Sequence, residues 1–212
     1  MKIIGHRGAR GLAPENTLAS LRKAVEHGVD MVEFDLRVTS DNVVVLHHDP
    51  RVQINDESLS VADSTYKQLK AVKSDLAALP EVLAEFASTP LYIEVKPGVK
   101  PDPIIALIKS SKADTYLASK DQKILVSLRE ALPEAKLIVI EPWSGVRGHQ
   151  RARQVNAKII AMNQRWLWWG FIIGFKNSDR RLYAYTVNDP KKARRWARWG
   201  LAGVVTDYPD RF

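Results

Sequence analysis

Nine short runs of apolar, β-branched and aromatic residues recur along this chain, and helix-patterned stretches lie between many of them. That alternation restricts the fold to a mostly parallel sheet joined by right-handed crossovers, either open or closed into a barrel. The runs are 2–5, 31–36, 43–47, 91–95, 124–127, 137–140, 159–162, 183–187 and 203–206. Most are apolar nearly throughout, as strands covered on both faces must be. Helical periodicity is clearest over 17–27, where Leu18, Leu21, Ala24 and Val25 form one stripe and Gly28 follows as a stop signal. Residues 70–87 (interrupted by Pro80), 102–109 and 190–199 also read as helix. Nine runs exceed the eight strands of a (β/α)8 barrel, so one is expected to be irregular or to lie outside it. The connection 36–42 is too short for a crossover helix and contains the turn signal Thr39-Ser40-Asp41-Asn42. It is either a hairpin or an extended return.

With 212 residues, 45% of them hydrophobic, and no linker-like or low-complexity stretch, the chain reads as one domain with a sizeable core. It has no cysteine. Disulfides, thiolate metal sites and thiol catalysis are therefore excluded, and any metal must sit on oxygen and imidazole. The N-terminal residues lack a signal-peptide core, and no apolar run reaches the length of a membrane span, so a cytoplasmic location is expected. The net charge of +8 suits anionic substrates, acidic lipid surfaces or nucleic acid, and charge alone does not separate them. No helix-turn-helix, zinc or RNA-sheet signature supports nucleic acid.

Within this frame five residues stand out. Glu33 and Asp35 are two apart on a strand and share a face. Two adjacent carboxylates on an apolar strand repel each other and resist burial, and a divalent cation relieves both problems. Glu94 sits in a similar run, with Lys96 on its face. Oxygen ligation points to Mg²⁺ or Ca²⁺, with Mn²⁺ also suitable. His6 ends the first run and His48 the third, and strand alternation lets only one of His47 and His48 enter a shared site. Imidazole titrates near neutral pH, which suits an acid/base pair. Arg7 could clamp a phosphate. Taken singly, each acid could equally be a strand-end partner for Lys or Arg, and each histidine a hydrogen-bonded structural residue. In a barrel, however, strand ends converge on one mouth.

His6-Arg7-Gly8, Pro14-Glu15-Asn16-Thr17, Glu33-Phe34-Asp35 and His48-Asp49-Pro50 together resemble the glycerophosphodiester phosphodiesterase family. Glu94-Val95-Lys96, Thr186-Val187-Asn188 and Thr206-Asp207-Tyr208-Pro209 extend the resemblance towards residue 210. It implies a distorted TIM barrel of the phospholipase C-like phosphodiesterase type, spanning 1–212 with a short insertion near 51–80. Glu33, Asp35 and Glu94 are then the implied metal ligands, His6 and His48 the implied general acid and base, and Arg7 and Lys96 the implied phosphate contacts. Asn16 and Thr17 read as a cap on the first helix. The implied reaction releases glycerol 3-phosphate and an alcohol. A glycerol hydroxyl attacks its own phosphorus, and water then opens the cyclic phosphate.

Two stretches depart from the family pattern. Residues 51–57 replace the usual run after His-Asp-Pro. Residues 166–175, which include Trp166, Trp168, Trp169 and Phe175, are apolar on every side if helical. They either pack on the core or form a lip that touches lipid. Residues 191–199 make a basic helix with Trp196 and Trp199, which is either a solvated face or, beside the first segment, a partner for anionic lipid. A lysophospholipase D or sphingomyelinase D-like activity on lipid is the alternative enzyme reading. A non-catalytic binder of anionic lipid surfaces is the alternative outside enzymes.

Overall fold

The computed structural model describes residues 1–54, 57–176 and 178–212, with the backbone alone described at 54 and 57. Eight parallel strands form the barrel: β1 (Lys2–Gly5), β2 (Met31–Val38), β6 (Leu91–Val95), β7 (Thr115–Ser119), β8 (Lys136–Ile140), β9 (Ile159–Asn163), β10 (Arg181–Tyr185) and β11 (Gly203–Thr206). They run in the order β1-β11-β10-β9-β8-β7-β6-β2, and pairing of β1 with β2 closes the ring. Helices α1 (Leu18–Glu26), α3 (Leu79–Glu85), α4 (Asp102–Ser110), α5 (Gln122–Ala131), α6 (Gly145–Gln154), α7 (Trp169–Lys176) and α8 (Pro190–Trp199) occupy the crossovers.

Two of the nine runs, 43–47 and 124–127, are not barrel strands, and 43–47 lies outside the ring. Its strand β3 (Val44–Leu46) pairs antiparallel with β2, Leu36 opposite Leu46, so the connection is a hairpin. Asn42 takes the left-handed φ of 60° in its turn, a conformation asparagine tolerates. Antiparallel β4 (Arg51–Ile54) and β5 (Glu57–Ser60), then α2 (Tyr66–Val72), follow. Val45, Val52, Val61, Leu69 and Leu76 bury a separate small cluster beneath them. Of the divergent run 51–57, positions 55 and 56 lie outside the described residues.

One expected strand is helix instead. Residues 124–127 lie within α5, where Ile124, Leu125 and Leu128 are buried on one face and the Asp121 side chain caps the N-terminus by accepting from Lys123 N–H. The strand at this point is β7, with only Leu117 and Ala118 as apolar residues in its buried end. The helix expected over 70–87 is instead the end of α2 and the whole of α3, separated by residues 73–78, and Pro80 is not the break. It lies in the first turn of α3, where its missing N–H costs nothing.

Strand alternation sorts the core into two shells. Val32, Phe34 and Leu36 of β2, with Leu91, Ile93 and Val95 of β6, pack outward against the helices. Ile4, Met31, Tyr92, Ile138 and Tyr183 fill the barrel interior. Glu33 and Asp35 follow Met31 inward at steps of two, and Glu94 follows Tyr92. The interior is thus apolar at its floor and ionisable at the C-terminal mouth.

Candidate active site

Period-two geometry places the acids before any side chain is considered. Asp35 pairs with Glu94 in the β2–β6 register, and Glu33 lies one inward step below Asp35. One oxygen from each of Glu33, Asp35 and Glu94 lies within 4.8 Å of the other two, and all three residues are buried. They line a cavity of about 270 Å³ together with His6, Arg7, His48 and Lys96. All seven residues singled out in the sequence therefore face one space.

The chain turns sharply after β1 to build the near wall. Arg7 adopts a left-handed φ of 49°, costly for a residue with a side chain, and its N–H donates to Glu33 Oε2 at 2.7 Å. Gly8 follows at φ 81°, where a Cβ would lie 2.4 Å from the Ser20 backbone, so only glycine lets α1 approach this turn. Arg7 Nη1 donates to Glu15 at 2.7 Å, and its Nε lies 3.2 Å from Asp35 Oδ2. Thr17 caps α1 as expected, in a reciprocal capping box with Ser20. Asn16 does something different. It donates to Asp35 Oδ2 at 2.9 Å and accepts from the Asp35 N–H at 3.0 Å, which locks that carboxylate in place.

Each histidine is held through Nδ1. Asp207 Oδ1 accepts from His6 Nδ1 at 2.6 Å, and Asp207 Oδ2 in turn accepts from Asn188 at 2.8 Å. Asp49 accepts from His48 Nδ1 at 2.8 Å. In both rings Nε2 is the nitrogen left for a substrate. His47 instead turns to the Arg51 carbonyl and does not line the cavity. Burial lowers the His48 pKa below the usual imidazole value, against the opposing pull of Asp35 and Asp49.

The charges do not balance locally. Lys96 Nζ lies 2.7 Å from Asp35 and 3.0 Å from Glu94, and these acids raise its pKa although burial opposes it. Burial also works against ionised Asp35, but Lys96 and Arg7 hold its pKa down at about 2. Glu33 makes no ion pair among the described residues, and the Arg7 N–H and the more distant Lys96 offset its burial only in part. Burial, with the charges of Asp35 and Glu94, pushes its pKa well above the carboxylate range. Glu94 Oε1 is buried and, among the described residues, held only by ion pairs, to Lys96 at 3.0 Å and Lys120 at 3.5 Å. Three converging buried carboxylates, one of them without an ion pair among the described residues, fit a hard divalent cation.

The sequence matches the Glycerophosphoryl diester phosphodiesterase family over residues 6–112. The chain belongs to that family. It is 30% identical over 238 residues to the Bacillus subtilis protein YhdW, covering 99% of this chain and 96% of that one. A glycerophosphodiester phosphodiesterase from Caldanaerobacter subterraneus is 26% identical over 231 residues, with 98% and 94% covered. An Oleispira antarctica phosphodiesterase, solved with the product sn-glycerol-3-phosphate, has the same fold: TM-score 0.90 at 22% identity, covering 100% of this chain and 94% of that one.

In this glycerophosphoryl diester phosphodiesterase family member, several cavity residues carry no sequence signal strong enough to assign them a role. Lys120 Nζ lies 3.5 Å from Glu94. Tyr185 ends β10 with a buried hydroxyl that has no partner among the described residues, and burial beside Glu94 and Glu141 raises its pKa. Asp207 and Asn188 lie in motifs that mark the family, yet their hold on His6 is visible only once β1 and β11 are side by side.

Proposed function

We propose that this chain hydrolyses glycerophosphodiesters to glycerol 3-phosphate and an alcohol, through a cyclic phosphate, with a divalent cation held by Glu33, Asp35 and Glu94. Mg²⁺ and Ca²⁺ suit the all-oxygen donor set best, and Mn²⁺ is compatible with it. The observation that carries this reading is the convergence of three buried carboxylates, two carboxylate-oriented histidines, the buried Lys96 and the half-buried Arg7 on one cavity. When bound, the cation supplies Lewis-acid stabilisation of charge on the phosphate and acidifies a hydroxyl beside it.

The rest falls to the chain's own side chains. Arg7 and Lys96 present guanidinium and ammonium groups to the phosphoryl oxygens. One histidine takes the proton from the glycerol hydroxyl as that oxygen attacks phosphorus within the same molecule. The other gives a proton to the departing alcohol, and the two exchange roles when water opens the ring. Asp207 and Asp49 keep Nδ1 of each ring protonated, so Nε2 is the working atom.

The test measures glycerol 3-phosphate released from glycerophosphocholine, with and without chelator, for the parent, His6→Ala, His48→Ala and His47→Ala. The first two variants are expected to lose about 10²-fold or more in kcat, and the third to retain activity. Undiminished turnover in His6→Ala would overturn the acid/base pair, and full activity in excess chelator would overturn the metal. A second reading, cleavage of lysophospholipids or related lipid diesters by the same residues, is favoured by the exposed tryptophans at the rim. Faster turnover of lysophosphatidylcholine than of glycerophosphocholine would establish it.

A further inference from the structure

In a parallel barrel the N-terminus of every crossover helix lies at the mouth where the strands end. Three neighbouring crossovers, after β8, β9 and β10, present an unusual surface there. Trp143 and Val146 flank the start of α6 and are 64% and 72% exposed. Trp166, Trp168 and Trp169 lead into α7 at 54%, 58% and 61%, and Ile173 continues the patch one turn on. Soluble surfaces rarely spend tryptophan this way, and clustered exposed apolar groups mark a contact surface.

These side chains stand outward on fixed loops. Glu141, fully buried, pairs with Arg147 and Arg151 and accepts from the N–H of Trp143 at 3.2 Å. Arg147 lies 5.7 Å from the Trp143 ring. In the run 166–169 the core takes only Leu167, and the three indoles around it stay out. Gly145 packs so closely on Phe171 that a Cβ there would lie 2.4 Å from the ring, which joins the first loop to α7. Gln164 accepts from Lys192 Nζ at 2.7 Å and donates to the Thr186 carbonyl, which joins the second loop to α8. The two segments whose adjacency the sequence left open, 166–175 and 191–199, are therefore neighbours.

The charge is equally uneven. Residues 142–199 hold 13 lysines and arginines against two aspartates, more excess charge than the whole chain's +8. Among them, Arg147, Arg165 and Lys191 belong to the mouth end of this sector and are exposed. The acids at that end are Glu141, covered by two arginines, and Asp189, whose carboxylate caps α8. Indole rings beside arginine and lysine complement the interface of an anionic bilayer, apolar just beneath and negative above.

We propose that the loops following β8, β9 and β10 form a docking surface for anionic lipid bilayers. Trp143, Trp168 and Trp169 enter the interface, and Arg165 and Lys191 meet the headgroups. Docking turns the barrel mouth, and the cavity lined there by Asn163 and Thr186, towards the membrane. It requires no spanning segment, and among the described residues no helix is long and apolar enough to cross a membrane. Such docking holds whichever diester the cavity cleaves.

Vesicle sedimentation tests this without substrate. The parent is compared on phosphatidylcholine vesicles and on phosphatidylcholine–phosphatidylglycerol vesicles, with tryptophan emission recorded in each. Two combined variants follow, Trp143→Ala/Trp168→Ala/Trp169→Ala and Arg165→Glu/Lys191→Glu/Arg194→Glu. All six positions are exposed, and unchanged melting temperatures confirm intact folds. The parent is expected to partition onto anionic vesicles with a blue-shifted emission, and each variant to lose roughly tenfold or more in partitioning. Absence of parent binding, or binding untouched by the tryptophan changes, would overturn the proposal. So would equal capture on duplex DNA with no emission shift, which a merely basic patch would give.

Discussion

His6 Nδ1 and Asp207 Oδ1 lie 2.6 Å apart, although 201 positions separate the two residues in sequence. Barrel closure brings them together. β1 pairs with β11, Gly5 opposite Thr206, so the residues that follow each strand emerge side by side. Asn188, just after β10, then grips Asp207 with both ends of its side-chain amide, donating to Oδ2 and accepting from the Asp207 backbone N–H. The first and last strands thus set the orientation of one imidazole.

Asp207→Asn is expected to lower kcat by about 10²–10⁴-fold with little change in KM. Asparagine can present its NH₂ to Nδ1 and select the wrong tautomer, leaving Nε2 protonated and unable to accept. Steady-state kinetics on glycerophosphocholine give the split, and a proportionate rise in KM would point to lost substrate binding instead.

The same carboxylate makes stability depend on pH. Burial would raise the Asp207 pKa, but hydrogen bonds from His6 and Asn188 outweigh it and the pKa is lowered. A carboxyl with a depressed folded-state pKa stabilises the fold above its unfolded value of about 3.9, and this contribution is lost as pH falls further. The melting temperature of the parent should exceed that of Asp207→Asn at pH 7, and the gap should narrow below about pH 4. A gap independent of pH would show that the carboxylate charge contributes nothing.

Glu33 offers the opposite case. Its buried carboxyl makes no ion pair among the described residues, so Glu33→Gln removes a charging penalty while keeping an oxygen for the Arg7 N–H. In chelator the variant is expected to melt above the parent. In saturating Mg²⁺ or Ca²⁺ the order should reverse, because binding at a hundredfold excess over Kd adds about 2.7 kcal/mol to the parent alone. Thermal melts of both proteins in chelator and in metal decide this. An equal metal-induced shift in the two would exclude Glu33 as a ligand.

Much of this site was legible because it follows from period two. Glu33 and Asp35 had to share a face of their strand, and β6 repeated the pattern at Glu94. The shortness of the link before β3 ruled out a crossover helix but left hairpin and extended return open, and only the pairing with β2 decides for the hairpin. What escaped depends on competition between local signals or on distant closure. Ile124-Leu125-Val126 is apolar enough for a strand, and the Asp121 cap decided for helix. β7 carries Thr115 and Tyr116 on its less buried half and gave a weaker signal than the helix after it. The grip of Asp207 on His6, and the packing of Gly145 on Phe171 that brings Trp143 towards α7, exist only once separate crossovers are neighbours in space.

Asn16 and Thr17, adjacent in sequence and both suggestive of a helix cap, separate cleanly in the structure. Thr17 accepts from the Ser20 N–H and donates to the Pro14 carbonyl, so it serves the start of α1 and touches no acid of the site. Asn16 spends both ends of its amide on Asp35, and its left-handed φ of 56° is what turns it towards β2. Thr17→Ala should therefore cost about 1 kcal/mol of stability and leave metal affinity unchanged. Asn16→Ala should weaken metal binding by about 10–100-fold, the usual loss when a hydrogen-bond partner that orients a ligand is removed. Isothermal titration of both variants with Mg²⁺ or Ca²⁺ separates the two roles. If Asn16→Ala bound metal like the parent, Asp35 would be held well enough by Lys96 and Arg7 alone, and the amide would have to be counted as packing.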